Sequence, residues 1–323
     1  MSPPQAKIVF LDAVTYGDVS LDHFTALWDC AVHQITKPGE TARRLAGHTV
    51  AVTNKVAIDE LVLSSPEARD LKLIAVAATG TDIIDRKAAS AHGVKVCNVP
   101  GYATESVAQF TMALILELAT RAARYSEAVK RGEWEKSPVF ALLSYPAVEL
   151  KGKKLGIVGY GNIGRRVAEI ARGFGMEILI AARAASAVTN DRVPIDGLLR
   201  QADVVSLHCP LTPQTRNLIN RQSLSLMKPT AFLINTARGA LIDETALIDA
   251  LAKNLISAAA VDVVTTEPPA PDHPMIRAAK TLDNLIVTPH TAWSAREARE
   301  RLLDEVKENI SAFLRGEPRN LVS

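Results

Sequence analysis

Three polar residues stand where apolar runs end: Arg238 in "NTARG", Glu267 in "VVTTEPP" and His290 in "NLIVTPHTAW". A guanidinium is a planar fork that matches a carboxylate and a carbonyl oxygen together. An imidazole changes charge near neutral pH and can deliver or remove a proton. A carboxylate hydrogen-bonded to one ring nitrogen favours the charged imidazole and fixes the ring. Together the three suit hydride transfer coupled to proton transfer, at a carbonyl that sits beside a carboxylate, as in a 2-oxo acid. Arg238 would orient the substrate and polarise its carbonyl, Glu267 would fix the ring, and His290 would exchange the proton. Each also has a plainer reading. Arg238 could pair with Asp243 or Asp262, Glu267 could face solvent in a loop, and His290 could cap a helix or end a strand.

A hydride needs a carrier. The stretch "KKLGIVGYGNIGRRVAEIARGFG" (153–175) holds Gly159, Gly161 and Gly164 in the order GxGxxG, directly after an expected strand and before an expected helix. In that setting Gly159 permits the tight turn, Gly161 lets the backbone approach a pyrophosphate, and Gly164 lets the helix lie close on the strand. The amides of Tyr160, Gly161, Asn162 and Ile163, with the helix dipole, would receive the phosphates. The following strand runs "EILIAARAAS" (177–186). An acid at its end would bond the ribose 2′-hydroxyl; the residue there is Ala182. Arg183 could meet a 2′-phosphate with Ser186 as a further donor, which points toward NADP(H). The plainer alternative is that it stacks on the adenine or faces solvent.

These motifs need elements to position them. Residues 7–99 alternate apolar runs with helical patterns. "KIVFLD", "AVHQIT" (31–36), "TVAVT", "LIAVA" and "VKVCNV" read as strands, with helices at 21–29, 40–46 and 85–93 between them. A long helix follows over about 104–130, with Val107, Phe110, Leu114 and Leu118 on one face. Residues 131–150 read as an irregular arm able to cover a neighbouring subunit. A second alternation, from 154 to 289, contains six strands. A final helical pattern over about 294–315 is expected to return to the first domain. The expectation is α/β: two doubly wound parallel-sheet domains, a flavodoxin-like substrate domain (1–103 plus 296–323) and a Rossmann dinucleotide-binding domain (104–295).

Composition narrows the function classes. The 323 residues suit two domains. A net charge of +2, from 37 basic and 35 acidic residues without single-sign blocks, gives no sign of a nucleic-acid face. Apolar runs stop short of a membrane span, and the N-terminus lacks the pattern of a signal peptide. Cys30, Cys97 and Cys209 are odd in number and show neither metal-ligand spacing nor a disulfide framework, so no metal is expected and a cytoplasmic location is.

Several ordered stretches then resemble the D-isomer-specific 2-hydroxyacid dehydrogenases across nearly the whole chain. They are "AATGTDIID" (77–85), "NVPGYATESVAQ" (98–109), "GIVGYGNIGRRVA", "VVSLHCPLTPQTRNLI" (204–219), "MKPTAFLINTARGALIDETAL" (227–247), "AVDVVTTEPP" and "LIVTPHTAWSAREAR". "YPAVELKGKKLGIVGYGNIG" and "PHTAWSAREARERLLDEV" look most like the hydroxypyruvate-reducing members. The resemblance implies that Arg238, Glu267 and His290 are catalytic, and that amides at Thr79 and Gly80 hold the substrate carboxylate across a domain cleft. It implies that Thr104 contacts the cofactor and that His208, Cys209, Pro210 and Thr215 wall the adenosine half. Thr236 and Ala237 would lie near the nicotinamide ribose, and Asp262 would accept from the carboxamide. Family members are usually homodimers, joined through the coenzyme domain and, here, the 131–150 arm. Two departures stand out. Ala182 replaces the usual acid, and Trp293 replaces a small residue after the histidine, narrowing the pocket toward a small substrate. The implied reaction converts hydroxypyruvate to D-glycerate, or glyoxylate to glycolate, with NAD(P)H. A dinucleotide-sensing corepressor of the same fold, or a dehydrogenase for another D-2-hydroxy acid, are the alternatives.

Overall fold

A computed structural model describes residues 6–182 and 192–322. The chain divides into two units, Met1–Ala103 with Ser294–Ser323, and Thr104–Trp293.

The first unit holds five strands: β1 (Lys7–Phe10), β2 (Asp29–Val32), β3 (Val50–Thr53), β4 (Leu73–Val76) and β5 (Lys95–Cys97). They form one parallel sheet in the order β2-β1-β3-β4-β5. The inner strands β3 (VAVT) and β4 (LIAV) are buried at every position. A parallel strand covered on both faces has no polar side to show, hence the unbroken apolar runs. Strand β2 is the exposed edge and starts at Asp29, two residues before the 31–36 run. Its half-exposed positions carry a mixed sequence that gives no clear register. The helix expected at 21–29 is a single turn, Asp22–Thr25. The helix Arg296–Leu314 packs on β4 within this unit, and Val322 N donates to Val96 O at 2.9 Å, so the chain returns to β5.

The second unit holds β6 (Lys154–Val158), β7 (Glu177–Ile180), β8 (Val204–Leu207), β9 (Phe232–Asn235), β10 (Ala258–Val261) and β11 (Leu285–Val287). All pairings are parallel, in the order β11-β10-β9-β8-β6-β7. A single parallel bridge, Ala181 to Val193, extends the β7 edge. Strand β10 reads AAAV because the helix Thr104–Thr120 lies on it. Ala258 and Ala260 share one core with Ala108, Met112 and Ile115, where larger side chains would find no room.

The helix expected over 104–130 is two helices, Thr104–Thr120 and Ala122–Lys130, split at Arg121 with φ 57°. The Glu117 carboxylate accepts from Ala123 N at 3.2 Å, capping the second helix. No glycine or proline marks the break, so periodicity runs through it unseen. The 131–150 arm contains one short turn, Trp134–Lys136. Trp134 Nε1 donates to Phe140 O at 2.9 Å and Ser137 Oγ to Ala141 O at 2.7 Å. Val139, Phe140 and Leu143 are exposed.

No helix among the described residues is long and apolar enough to cross a membrane, and no three or more of their His, Cys, Asp and Glu side chains cluster as metal ligands would. The three cysteines are free. Burial pushes the Cys30 thiol up to about 11 and the Cys97 thiol to about 12.

Candidate active site

The glycine turn joins β6 to the helix Asn162–Gly173. Gly159 has φ 98°, and a Cβ there would lie 2.4 Å from Cys209 N, so the turn needs glycine on two counts. A Cβ at Gly164 would fall 2.2 Å from Gly159 O, whereas one at Gly161 would meet nothing within 4 Å. The backbone at Gly161 is therefore open to a ligand. Alongside, His208 N donates to Val158 O at 2.7 Å, and His208 Nε2 meets Ser206 Oγ at 2.9 Å. Desolvation of the imidazole lowers it to about 4, so it stays neutral and is no proton donor at pH 7. Burial likewise raises the Cys209 thiol. Thr215 Oγ1 donates to Pro210 O at 2.7 Å and accepts from Thr212 N at 2.7 Å, fixing the loop after β8.

At the far end of β7, Ala182 N donates to Val193 O at 2.8 Å. Arg183 and Ser186 lie outside the described residues. Sequence reasoning missed Arg192, whose Nη1 donates to Ala181 O at 3.3 Å. It reaches this end of β7 only because Val193 folds back on Ala181, and no local signal announces that.

The chemistry-bearing residues sit beyond β9, β10 and β11. After β9, Asn235 organises the turn: its Nδ2 donates to Arg238 O at 2.8 Å and its Oδ1 accepts from Ala237 N at 3.0 Å. The Arg238 side chain is half-buried, with Nη1 donating to Ala237 O at 2.8 Å. Thr236 Oγ1 lies 3.0 Å from Thr111 Oγ1 in the helix Thr104–Thr120. Gly239 follows Arg238 in this turn. A Cβ at this residue would lie 2.1 Å from the Val264 carbonyl carbon. That absence of a side chain lets the Arg238 turn pack against the loop carrying Glu267. Glu244, also missed, braces the same loop by accepting from Thr265 N at 2.7 Å and from Thr265 Oγ1 at 3.0 Å.

Glu267 and His290 meet directly. Glu267 Oε1 accepts from Val264 N at 3.0 Å, while Oε2 faces His290 Nδ1 at 2.5 Å, each side chain about 30% exposed. His290 engages Glu267 through Nδ1, and its other ring nitrogen is Nε2. Asp262 is fully buried, and its carboxylate accepts from Thr288 Oγ1 at 2.6 Å, Thr291 N at 3.0 Å and Ala292 N at 2.8 Å. Its contacts fasten the loop that carries His290. Trp293 Nε1 donates to His290 O at 2.9 Å. In the first unit, Thr79 Oγ1 donates to Val99 O at 2.9 Å, and Thr79 O accepts from Asn98 Nδ2 at 2.7 Å, which holds the strand end beside Gly80.

A parallel sheet with a glycine turn behind its first strand, and an imidazole–carboxylate pair on the loops of two others, defines a nicotinamide-dinucleotide-linked oxidoreductase. Residues 112–292 match the family model described as D-isomer specific 2-hydroxyacid dehydrogenase, NAD binding domain. The chain belongs to that family. It is 41% identical over 323 residues to a glycerate dehydrogenase of Methylorubrum extorquens, covering 98% of both chains. It is 37% identical over 326 residues to a hydroxypyruvate reductase of Blautia hydrogenotrophica, covering 98% of this chain and 99% of the other. Among solved structures, the TT0316 protein of Thermus thermophilus matches with a TM-score of 0.86 and 34% identity, over 98% of this chain and 100% of that one. An acyclic imino acid reductase in complex with NADPH and D-Arg matches with a TM-score of 0.85 and 29% identity, with the same coverage.

Proposed function

We propose that the protein reduces hydroxypyruvate to D-glycerate and glyoxylate to glycolate. The contact that carries this reading is His290 Nδ1 to Glu267 Oε2 at 2.5 Å, a proton donor held by its carboxylate. When bound, the reduced dinucleotide supplies the hydride to the substrate carbonyl carbon. His290, oriented by Glu267, delivers a proton from Nε2 to the carbonyl oxygen; in the reverse direction it removes that proton from the hydroxyl. Arg238 grips the carboxylate and carbonyl oxygens. Trp293 limits the space for the substrate's third carbon. The names of the curated relatives support this choice of substrates.

The dinucleotide would rest on the backbone from Gly159 to Gly164. The loop His208–Cys209–Pro210 with Thr215 would face the adenosine, and Thr104, Thr236, Ala237 and Asp262 would face the nicotinamide half. NADP(H) is the preferred form in this reading. Ala182 gives no carboxylate to repel a 2′-phosphate, Arg183 and Ser186 follow it, and the Arg192 guanidinium contacts Ala181 O. Ala182→Asp should shift the NADPH/NADH preference in kcat/KM toward NADH; an unchanged ratio would remove this strand end from cofactor choice. The exposed Val139, Phe140 and Leu143 of the arm support a homodimer. Sedimentation equilibrium should return twice the chain mass, and a monomer at micromolar concentration would refute it.

Absorbance at 340 nm with a panel of 2-oxo acids and both reduced dinucleotides tests the function. Consumption with hydroxypyruvate and glyoxylate is expected. Tight dinucleotide binding with no turnover of any 2-oxo acid would favour a dinucleotide sensor instead.

A further inference from the structure

The peptide that presents His290 is held from two sides. His290 has φ 54°, a left-handed backbone in which a Cβ crowds the following carbonyl oxygen. On the amide side, His290 N donates to Asp262 O at 2.8 Å, and the Asp262 carboxylate accepts from Thr291 N and Ala292 N. Ser106 Oγ donates to Ala292 O at 2.6 Å, tying the carbonyl two residues beyond His290 to the helix Thr104–Thr120. The His290 carbonyl itself is bonded by the Trp293 indole, Nε1 to O at 2.9 Å. This bond spans three residues and closes a turn that begins at the left-handed residue.

We propose that Trp293 is a positioning residue for the proton donor, acting through its indole N–H. This rests on the reading that His290 exchanges the substrate proton. A rotation about the His290 backbone swings its ring along an arc, and a 2.5 Å contact with Glu267 Oε2 tolerates little swing. The indole bond opposes the rotation that would carry the residue out of the left-handed region. The bulk of the same ring can border the substrate, so the N–H and the ring are separable functions of one side chain.

Two replacements separate them. Trp293→Phe keeps an aromatic ring and removes the donor. Replacing Trp293 with 3-benzothienylalanine keeps the bicyclic shape and exchanges only the N–H for sulfur. Both should lower kcat by about tenfold, within the range that a small displacement of a catalytic group costs, and the isostere, which keeps the ring that borders the substrate, should leave KM for hydroxypyruvate within about twofold. Both should also weaken or shift the low-field proton resonance expected from the His290 Nδ1–H facing Glu267. If the phenylalanine variant does not fold, the isostere carries the test. Unchanged kcat and resonance in the isostere would overturn the proposal, as would a raised KM at constant kcat. Loss of kcat in Trp293→Phe alone would assign the effect to ring bulk and overturn it equally. The resonance is read without turnover. It therefore decides the role of Trp293 even if the wild-type protein reduces no 2-oxo acid, an outcome that would sink the functional reading separately.

Discussion

His290 is held through both its ring and its backbone, and the residues around it divide accordingly. Glu267 addresses the ring, while Asp262 and Trp293 address the peptide. His290→Ala should cut turnover by roughly two to four orders of magnitude with dinucleotide affinity kept, the usual scale of lost general acid–base catalysis. Near-normal turnover would remove His290 from the reaction. Glu267→Gln keeps an oxygen for Val264 N but ends the negative charge beside Nδ1. It should cost less than His290→Ala, and the double variant should be no worse than His290→Ala alone, because the pair acts as a unit. Additive losses would separate the two. Arg238→Ala should raise KM and lower kcat/KM; an unaltered kcat/KM would take the guanidinium away from the substrate carboxylate. The sequence made these three residues legible because arginine, glutamate and histidine at strand ends have few plain uses. It hid Asn235, Glu244 and Gly239, whose roles lie in contacts between loops. It also showed Trp293 only as a bulky residue, since an indole N–H has no visible partner in a string of letters.

Among the elements, glycines set how closely the loops approach. Gly239→Ala would put a Cβ 2.1 Å from the Val264 backbone and force apart the Arg238 turn and the Glu267 loop. A loss of about 1–3 kcal/mol in denaturant unfolding is expected, the typical cost of overpacking, with a fall in kcat. Gly161→Ala meets open space and should leave the unfolding midpoint unchanged while weakening dinucleotide binding, read by fluorescence titration. Equal effects of the two on stability would contradict this division. Buried strands were easy to read, because β3, β4, β8 and β9 must be apolar on both faces. The edge strand β2 and the break at Arg121 were not. The first is set by pairing with β1 more than by its own pattern, and the second by a left-handed residue that is not glycine.

On the scale of the molecule, acid stability should carry the mark of His208. Its folded value of about 4 lies below the ordinary histidine value of 6.5, because burial penalises the charged ring. The unfolded chain then binds more protons between those limits. Stability is fully present above pH 6.5 and declines as pH falls toward about 4, by at most about 1.4 kcal/mol per unit. His208→Gln should flatten that part of the profile in urea unfolding at stepped pH. A slope identical to wild type would mean the ring is not desolvated in solution.

The first unit is built from two stretches of the chain separated by Thr104–Trp293. The strip near Val322 bonds to β5, and Asn309 Nδ2 donates to Asn98 O at 2.9 Å. During synthesis, β1 to β5 therefore leave the ribosome long before the helix that covers β4. At about 5–20 residues per second the wait is on the order of ten to forty seconds, long enough for the nucleotide-binding half to finish first. Nascent chains stalled shortly after Trp293 should accordingly show a protease-resistant core from the later half and a still digestible beginning.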